Sequence, residues 1–190
     1  MFSRQVRTLF FAVAYLSQTG LVTAAPKTSA PASKPQAAPE KAAAGTSSAA
    51  ECSIVVEGTD SMQYQQNGKK LETITAPSNC PNNAFTVTLK HVGKLAKQIM
   101  GHNLVVTASG DAATINTEAM KLGPTKNYLA DVTVEPFKTK VLATAMKLLG
   151  GGESEDIKVD MTRFKKGGDY TFFCTFPGHF SMMQGKFVVR

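Results

Sequence analysis

The sequence predicts an all-β domain, built as a two-sheet sandwich or a barrel, from residue 51 onward. Short runs rich in β-branched and aromatic residues recur along this part of the chain, and residues 85–89 alternate apolar and polar side chains as a half-buried strand does. Turn-forming residues such as Asn67-Gly68 and Gly150-Gly151-Gly152 separate the runs. Seven or eight short strands with this punctuation are typical of sandwiches and barrels.

The remaining segments are assigned in chain order. Strands are predicted at residues 104–107, 131–134, 156–161, 170–174 and 186–190. Residues 111–121 predict a helix, because Asp111 supplies an acidic start and Gly123-Pro124 a stop. Residues 141–149 are ambiguous, since their propensities suit a helix at least as well as a strand.

Composition and charge exclude several classes of protein. With 190 residues, 43% of them hydrophobic and 18% charged, the chain is neither a multi-span membrane protein, a collagen-like repeat nor a wholly disordered chain. The formal net charge of +7 falls to +3 once residues 1–50 are set aside, because 16 basic and 13 acidic residues remain. This small excess argues weakly against a nucleic-acid partner.

The first 24 residues have the pattern of a cleavable signal peptide. Arg4 and Arg7 precede the apolar run at residues 9–16, which is too short to span a bilayer, and Val22-Thr23-Ala24 supplies small residues before a cleavage point. A short buried helix or an uncleaved anchor is the alternative. No cysteine precedes Cys52, so no lipid anchor is predicted, and the product is expected to be exported to the periplasm.

Residues 25–50 are expected to be a disordered linker. Four prolines stand among alanine, serine and lysine, a composition that buries too little apolar surface to offset the entropy lost on ordering. The compact domain is therefore expected to comprise residues 51–190.

Three cysteines occur, at positions 52, 80 and 174. In an oxidising compartment this odd number means one disulfide and one thiol with another role. A Cys52–Cys80 bridge would close a loop of 28 positions and stabilise the fold by roughly 3 to 4 kcal/mol. Cys174 is the cysteine left over.

The chemistry is concentrated around Cys174. Cys174, His179 and Met183 follow one another at spacings of five and four, with the Pro177-Gly178 turn between them. A thiolate, an imidazole and a thioether are soft to borderline donors that favour copper or zinc over calcium or magnesium. A fourth donor must come from elsewhere, and His91 and His102 are the other histidines.

These residues resemble the azurin group of the blue-copper cupredoxin family. The resemblance is carried by Gly101-His102-Asn103, by the string from Phe172 to His179 and by Met183, and it extends over residues 51–190. It implies an eight-stranded Greek-key β-sandwich with one short helical insertion, and it assigns residues 141–149 to a strand. It further implies a site for one copper ion that alternates between Cu(I) and Cu(II).

The resemblance also assigns roles to individual residues. His102, Cys174 and His179 become the principal copper ligands, Met183 a weak axial ligand and the Gly101 carbonyl the opposite axial contact. Asn103 and the Phe176 N–H are expected to support the Cys174 sulfur, and His91 to pack beside the site. The family's apolar docking patch corresponds to Met62, Leu95, Ile99, Met100, Met120, Phe176 and Pro177, each of which could instead be ordinary core.

Two departures from the family pattern stand out. Leu104 replaces a buried tryptophan, which changes core packing, and residues 65–72 lengthen the segment between Cys52 and Cys80. Neither change removes an expected ligand.

The function implied is one-electron transfer between redox proteins by a monomeric, non-enzymatic carrier, with cytochromes c or a copper-dependent reductase as partners by resemblance. Copper storage or delivery is the alternative. A Cys174–His179 nucleophile pair lacks a third, orienting group, and a multicopper enzyme would need more than the three histidines present. Zinc at the same residues would have no redox role.

Overall fold

Two five-stranded β-sheets form the domain. The computed structural model describes residues 51–190, and the predicted signal peptide (1–24) and linker (25–50) lie outside the described residues. The strands are β1 (Ser53–Gly58), β2 (Tyr64–Gln66), β3 (Lys69–Lys70), β4 (Thr73–Ala76), β5 (Ala84–His91), β6 (Val105–Ala108), β7 (Val141–Thr144), β8 (Ser154–Asp160), β9 (Tyr170–Phe173) and β10 (Gln184–Val189).

The strand order is β3-β2-β1-β5-β8 in one sheet and β4-β10-β9-β6-β7 in the other. β1 pairs with β5 and β4 with β10 in parallel, whereas the other neighbours are antiparallel. This is the predicted cupredoxin-like sandwich. The structure describes ten short strands where eight were expected, and the hairpin of β2 and β3 lies in the segment between Cys52 and Cys80. Asn67 and Gly68 close it with positive φ angles of 51° and 74°, as the tightest hairpin turns require.

The core lies between the sheets and explains the alternation seen in the sequence. Phe85, Val87 and Leu89 of β5 point inward, and Thr86, Thr88 and Lys90 do not. All four residues of β9 are buried, because its other face is covered too. A second apolar cluster there joins Phe173 to Ile115 of helix α2 (Ala112–Lys121).

Two shorter helices complete the regular structure, α1 (Lys97–Met100) and α3 (Phe137–Lys140). Short 3₁₀ turns occur at Pro81–Asn83, Ser109–Asp111, Pro124–Lys126 and Met161–Arg163. Within residues 51–190, no helix combines the length and apolar character needed to cross a membrane.

The prediction of a strand at residues 131–134 is wrong. The Asp131 side chain accepts a hydrogen bond from the Thr133 N–H at 3.0 Å, and the Val134 N–H donates to the Asp131 carbonyl at 3.2 Å. These local bonds hold a turn, because a short acidic side chain competes with strand pairing for the backbone donors.

Residues 141–149 form a strand only in their first half. β7 pairs with β6 and buries Val141 and Ala143, so pairing overrides helix propensity there. Leu149, at the end of the segment, forms an isolated bridge with His102.

The predicted disulfide is confirmed between Cys52 and Cys80, whose Cα atoms lie 5.6 Å apart. Cys174 is a free, buried thiol.

Candidate metal centre

Three buried side chains converge at one end of the sandwich: His102, Cys174 and His179. Their candidate ligand atoms all lie within 4.8 Å of one another. The Cys174 Sγ and His179 Nδ1 atoms are 3.7 Å apart. His102, which lies 72 positions before Cys174 in the sequence, is thus brought to a point where one ion can contact all three side chains.

The segment between β9 and β10 supplies two of these donors. The Cys174 N–H donates to the Met183 carbonyl at 3.0 Å, and the Met183 N–H donates to the His179 carbonyl at 2.7 Å. Gly178 has a φ of 83°, which favours glycine in the turn that reverses the chain. The backbone therefore holds Cys174, His179 and the fully buried Met183 together before any ligand binds.

His102 is held from the opposite sheet in one orientation. Its Nε2 lies 2.9 Å from the Thr59 carbonyl oxygen, which can only accept, so Nε2 carries the proton. The other ring nitrogen, Nδ1, therefore has a free lone pair. It is buried and has no hydrogen-bond partner anywhere in residues 51–190. Buried polar atoms are rarely left without a partner, and a metal ion would satisfy this one.

Burial also sets the protonation of the three donors. It lowers the pKa of His102 to about 4, with repulsion from His91 adding to the effect, and it lowers the pKa of His179 to about 4. Burial raises the pKa of the Cys174 thiol to about 11. Near neutral pH the imidazoles are therefore ready to bind a cation, and a metal ion must displace one proton from Cys174.

Polar groups near Cys174 moderate the effect of burial on its pKa. The backbone N–H groups of Asn103 and Phe176 and the Tyr64 hydroxyl favour the thiolate and so oppose the rise in the pKa of Cys174. The Asn103 side chain ties the two segments together, because it donates to Thr175 Oγ1 at 2.7 Å and accepts from the Thr175 N–H at 2.9 Å.

Gly101 occupies a position that has no room for a side chain. Its carbonyl oxygen lies 3.9 Å from the Cys174 sulfur, on the rim of the three-donor cluster. A Cβ atom at Gly101 would come within 2.5 Å of the Lys97 carbonyl oxygen. Glycine thus lets the backbone approach the site closely.

His91 lies beside the cluster but is not part of it. Its ring stacks on the His102 ring with a centroid distance of 4.4 Å. Nε2 bonds to the Met100 carbonyl at 2.7 Å, and Nδ1 accepts from the Gly93 N–H at 3.1 Å. Because both ring nitrogens are occupied, His91 has no lone pair to offer a metal ion.

The residues expected to form the docking patch differ in exposure. Ile99, Met120 and Leu95 are 63%, 42% and 37% exposed, and the other four are half-buried. The Phe176 ring packs on His179 at 4.7 Å and so shields that imidazole from water.

Three residues that contact the site gave no usable signal in the sequence. Thr59 orients His102, and a Cβ atom at Gly58 would lie 2.6 Å from the His102 ring, so only glycine fits there. The Tyr64 hydroxyl, on β2, donates to the backbone carbonyl of Asn103, next to His102.

A soft, buried donor set of two neutral imidazoles and one cysteine sulfur, with the thioether-bearing Met183 buried beside it, fits a copper ion. Comparison with known proteins supports a copper site in this chain. Residues 50–190 match the family model for copper binding proteins of the plastocyanin/azurin family. Azurin of Pseudomonas aeruginosa is 39% identical over 142 residues, which cover 75% of this chain and 87% of that protein.

Azurin of Bordetella pertussis is 41% identical over 137 residues, covering 72% of this chain and 83% of the relative. Among solved structures, an azurin (Az-iso2) of Methylomonas sp. strain J superposes with a TM-score of 0.62 at 33% identity, covering 73% of this chain and 98% of the other. The fold, the donor cluster and these similarities together show that the chain belongs to the plastocyanin/azurin family of copper-binding proteins, as an azurin-like cupredoxin.

Proposed function

We propose that this blue-copper electron-transfer protein is an exported shuttle that carries single electrons between redox proteins of the periplasm. The observation that carries the proposal is the unpartnered Nδ1 of His102, which lies within 4.8 Å of the donor atoms of Cys174 and His179. In this proposal those three residues bind the copper ion. Met183 and the Gly101 carbonyl would be weaker donors to the same ion.

The chain contributes rigidity and exclusion of water. Each donor is fixed by its surroundings: His102 by the Thr59 carbonyl, and Cys174 and His179 by the backbone hydrogen bonds of the loop. A site that cannot rearrange presents nearly the same surroundings to Cu(I) and Cu(II). The bound ion supplies the one-electron redox chemistry, and the soft sulfur donors favour its reduced state.

We propose His179 as the route for electrons, because it is the donor beneath the docking patch. Phe176 packs against its ring, and the exposed side chains of Leu95, Ile99 and Met120 provide apolar surface. Small apolar contacts of this kind suit partners that must dissociate quickly. Cytochromes c or a copper-dependent reductase are the partners proposed.

Storage or delivery of copper is the competing function. It requires donors that exchange with solvent, whereas His102, Cys174, His179 and Met183 are all at least 98% buried. Met182 is 50% exposed, but the neighbouring thioether, that of Met183, is fully buried. Release of copper to a chelator should therefore be far slower than electron transfer.

The test uses electron self-exchange between oxidised and reduced copper-loaded protein, which requires no knowledge of the natural partner. Ile99→Ser removes apolar surface from the docking patch and is expected to slow self-exchange about tenfold, as truncation of a central interface residue does. Met146→Ser is the matched control, because Met146 is 69% exposed and outside the patch.

Both variants should keep the parent reduction potential. Equal slowing by the two substitutions, or none, would contradict the proposed route through His179. A parent protein without a reversible one-electron couple would contradict the shuttle function itself.

A further inference from the structure

Tyr128 lies outside the loop between β9 and β10 but contacts two of its residues. Its backbone carbonyl accepts a hydrogen bond from the Thr175 hydroxyl at 2.6 Å. Its ring packs edge to face on the Phe176 ring, with a centroid distance of 5.6 Å. Thr175 and Phe176 directly follow Cys174, so a single residue holds the start of the loop by two different kinds of contact.

The backbone at Tyr128 adopts a conformation that a bulky side chain rarely takes. Tyr128 has a φ of 55° and Asn127 a φ of 53°, both in the left-handed region. Asparagine tolerates this region, whereas it is unfavourable for tyrosine. The N–H groups of Asn127 and Tyr128 donate to the carbonyls of Pro124 and Gly123, both at 3.1 Å. Such a conformation persists only where the surrounding contacts compensate for its strain.

The carbonyl contact completes a directed chain of hydrogen bonds. The Asn103 side-chain amide donates to Thr175 Oγ1 at 2.7 Å, and the Thr175 hydroxyl gives its only proton to the Tyr128 carbonyl. Thr175 is fully buried, so solvent does not compete for that proton. Loss of the acceptor at Tyr128 would leave a buried hydroxyl proton without a partner, which is costly.

The ring contact extends to a candidate copper ligand. The Phe176 ring contacts the rings of both Tyr128 and His179, and its centroid lies 4.7 Å from that of His179. The His179 N–H also donates to the Phe176 carbonyl at 3.0 Å. A Phe176 side chain that Tyr128 holds in place therefore restricts movement of the His179 imidazole.

We propose that Tyr128 is a positioning residue for the copper centre, which holds Cys174 through Thr175 and His179 through Phe176. The proposal rests on the function proposed above, because fixed ligands let a bound ion change its charge with little rearrangement. The positioning itself is a property of the metal-free protein and can be measured there.

The first experiment measures amide hydrogen exchange in the metal-free protein. Tyr128→Gly removes the ring and frees the backbone, whereas Tyr128→Phe keeps the ring and the backbone conformation. In Tyr128→Gly the N–H groups of Thr175 and His179 are expected to exchange about tenfold faster than in the parent, the scale of one aromatic contact. Tyr128→Phe should match the parent.

Two controls separate local loosening from other effects of the substitution. The Thr86 N–H, which bonds to the Cys52 carbonyl at 3.0 Å at the disulfide end of the domain, reports on unfolding of the whole domain. Asn127→Gly adds similar backbone freedom one residue earlier and should match the parent. Faster exchange confined to the loop supports the proposal. Equal acceleration at Thr86, equal acceleration in Asn127→Gly, or unchanged exchange in folded Tyr128→Gly would overturn it.

A second experiment tests the carbonyl contact from its other end. Thr175→Val replaces the hydroxyl with a methyl group and should accelerate exchange at His179, whereas Thr175→Ser keeps the hydroxyl and should match the parent. In the double variant Tyr128→Gly with Thr175→Val, the two effects should be less than additive, because both substitutions break the same contact. Additive effects, or unchanged exchange in Thr175→Val, would overturn the inference.

Failure of the proposed function would be seen separately. A parent protein without blue absorption after addition of copper would overturn that function, and the exchange rates of the metal-free variants would still decide whether Tyr128 holds the loop.

Discussion

The individual donors owe their readiness for copper to contacts with residues that never touch the ion. Thr59 fixes the tautomer of His102, and burial keeps both imidazoles neutral while it protonates Cys174. The fold thus sets the protonation state of each donor. Substitutions of residues beside the ligands should therefore affect copper binding as much as some substitutions of the ligands do.

Gly58→Ala should perturb the copper centre without removing a ligand. The added methyl group would lie 2.6 Å from the His102 ring, which must then move from its bond to Thr59. We expect weaker copper binding and an altered electron-spin spectrum. Gly110→Ala is the control, because a Cβ atom there meets nothing within 4 Å. Identical spectra for both variants and the parent would contradict the argument.

The two adjacent methionines should behave differently. Met183 is fully buried, and its backbone closes the loop on Cys174, whereas Met182 is half exposed. Met183→Leu is expected to keep the blue colour and raise the reduction potential, because a weak donor to Cu(II) is lost. Met182→Leu should leave the potential unchanged. Voltammetry of both variants checks this, and the reverse outcome would assign the axial role to Met182.

The strands and the loop between β9 and β10 position the candidate copper site, whereas the disulfide lies at the other end of β1. Cys52 precedes β1, whereas Gly58 at its end contacts His102. Replacing both Cys52 and Cys80 with serine should lower the free energy of unfolding by about 3 to 4 kcal/mol. Denaturant titration measures this loss.

The blue absorption of the copper-loaded double variant should match that of the parent, because the copper site does not depend on the bridge. A folded variant that had lost its colour would show that the disulfide and the site are coupled.

Much of the strand arrangement was predictable from local sequence, and the strand assignments that failed have physical causes. The alternation in residues 85–89 identifies β5 because one face of that strand is buried and the other is not. Residues 131–134 have strand composition but form a turn, because the Asp131 side chain captures the Thr133 N–H. Residues 141–144 follow their strand partner rather than their helix propensity.

The site was predictable only where its residues are adjacent in sequence. The string around Cys174 pointed to a soft metal, and the family resemblance added His102. The contacts of His102 with Thr59 and of Asn103 with Thr175 join residues 43 and 72 positions apart. No local pattern reveals such pairs, so Gly58, Thr59 and Tyr64 emerged from the fold.

Because the pKa values of His102 and His179 are lowered in the folded state, the free energy of unfolding of the metal-free protein should depend on pH. Both values are about 4, below the usual 6.5, so between these limits the unfolded chain binds protons that the folded chain does not. The free energy of unfolding should therefore fall as pH is lowered from 6.5 to 4, by at most about 1.4 kcal/mol per pH unit for each imidazole.

Denaturant titrations of metal-free protein across this range check the linkage. The double variant His102→Gln with His179→Gln should lose most of the slope, and a parent protein whose stability is independent of pH here would contradict it.

The central claim is that Cys174, with His102 and His179, holds one copper ion. Its most direct test is the absorption and electron-spin spectrum of purified protein with one equivalent of copper added, compared with Cys174→Ser. We expect an intensely blue parent protein and a colourless variant, since the colour arises from charge transfer between this sulfur and Cu(II). A colourless parent, or a variant that kept the blue band, would contradict the account.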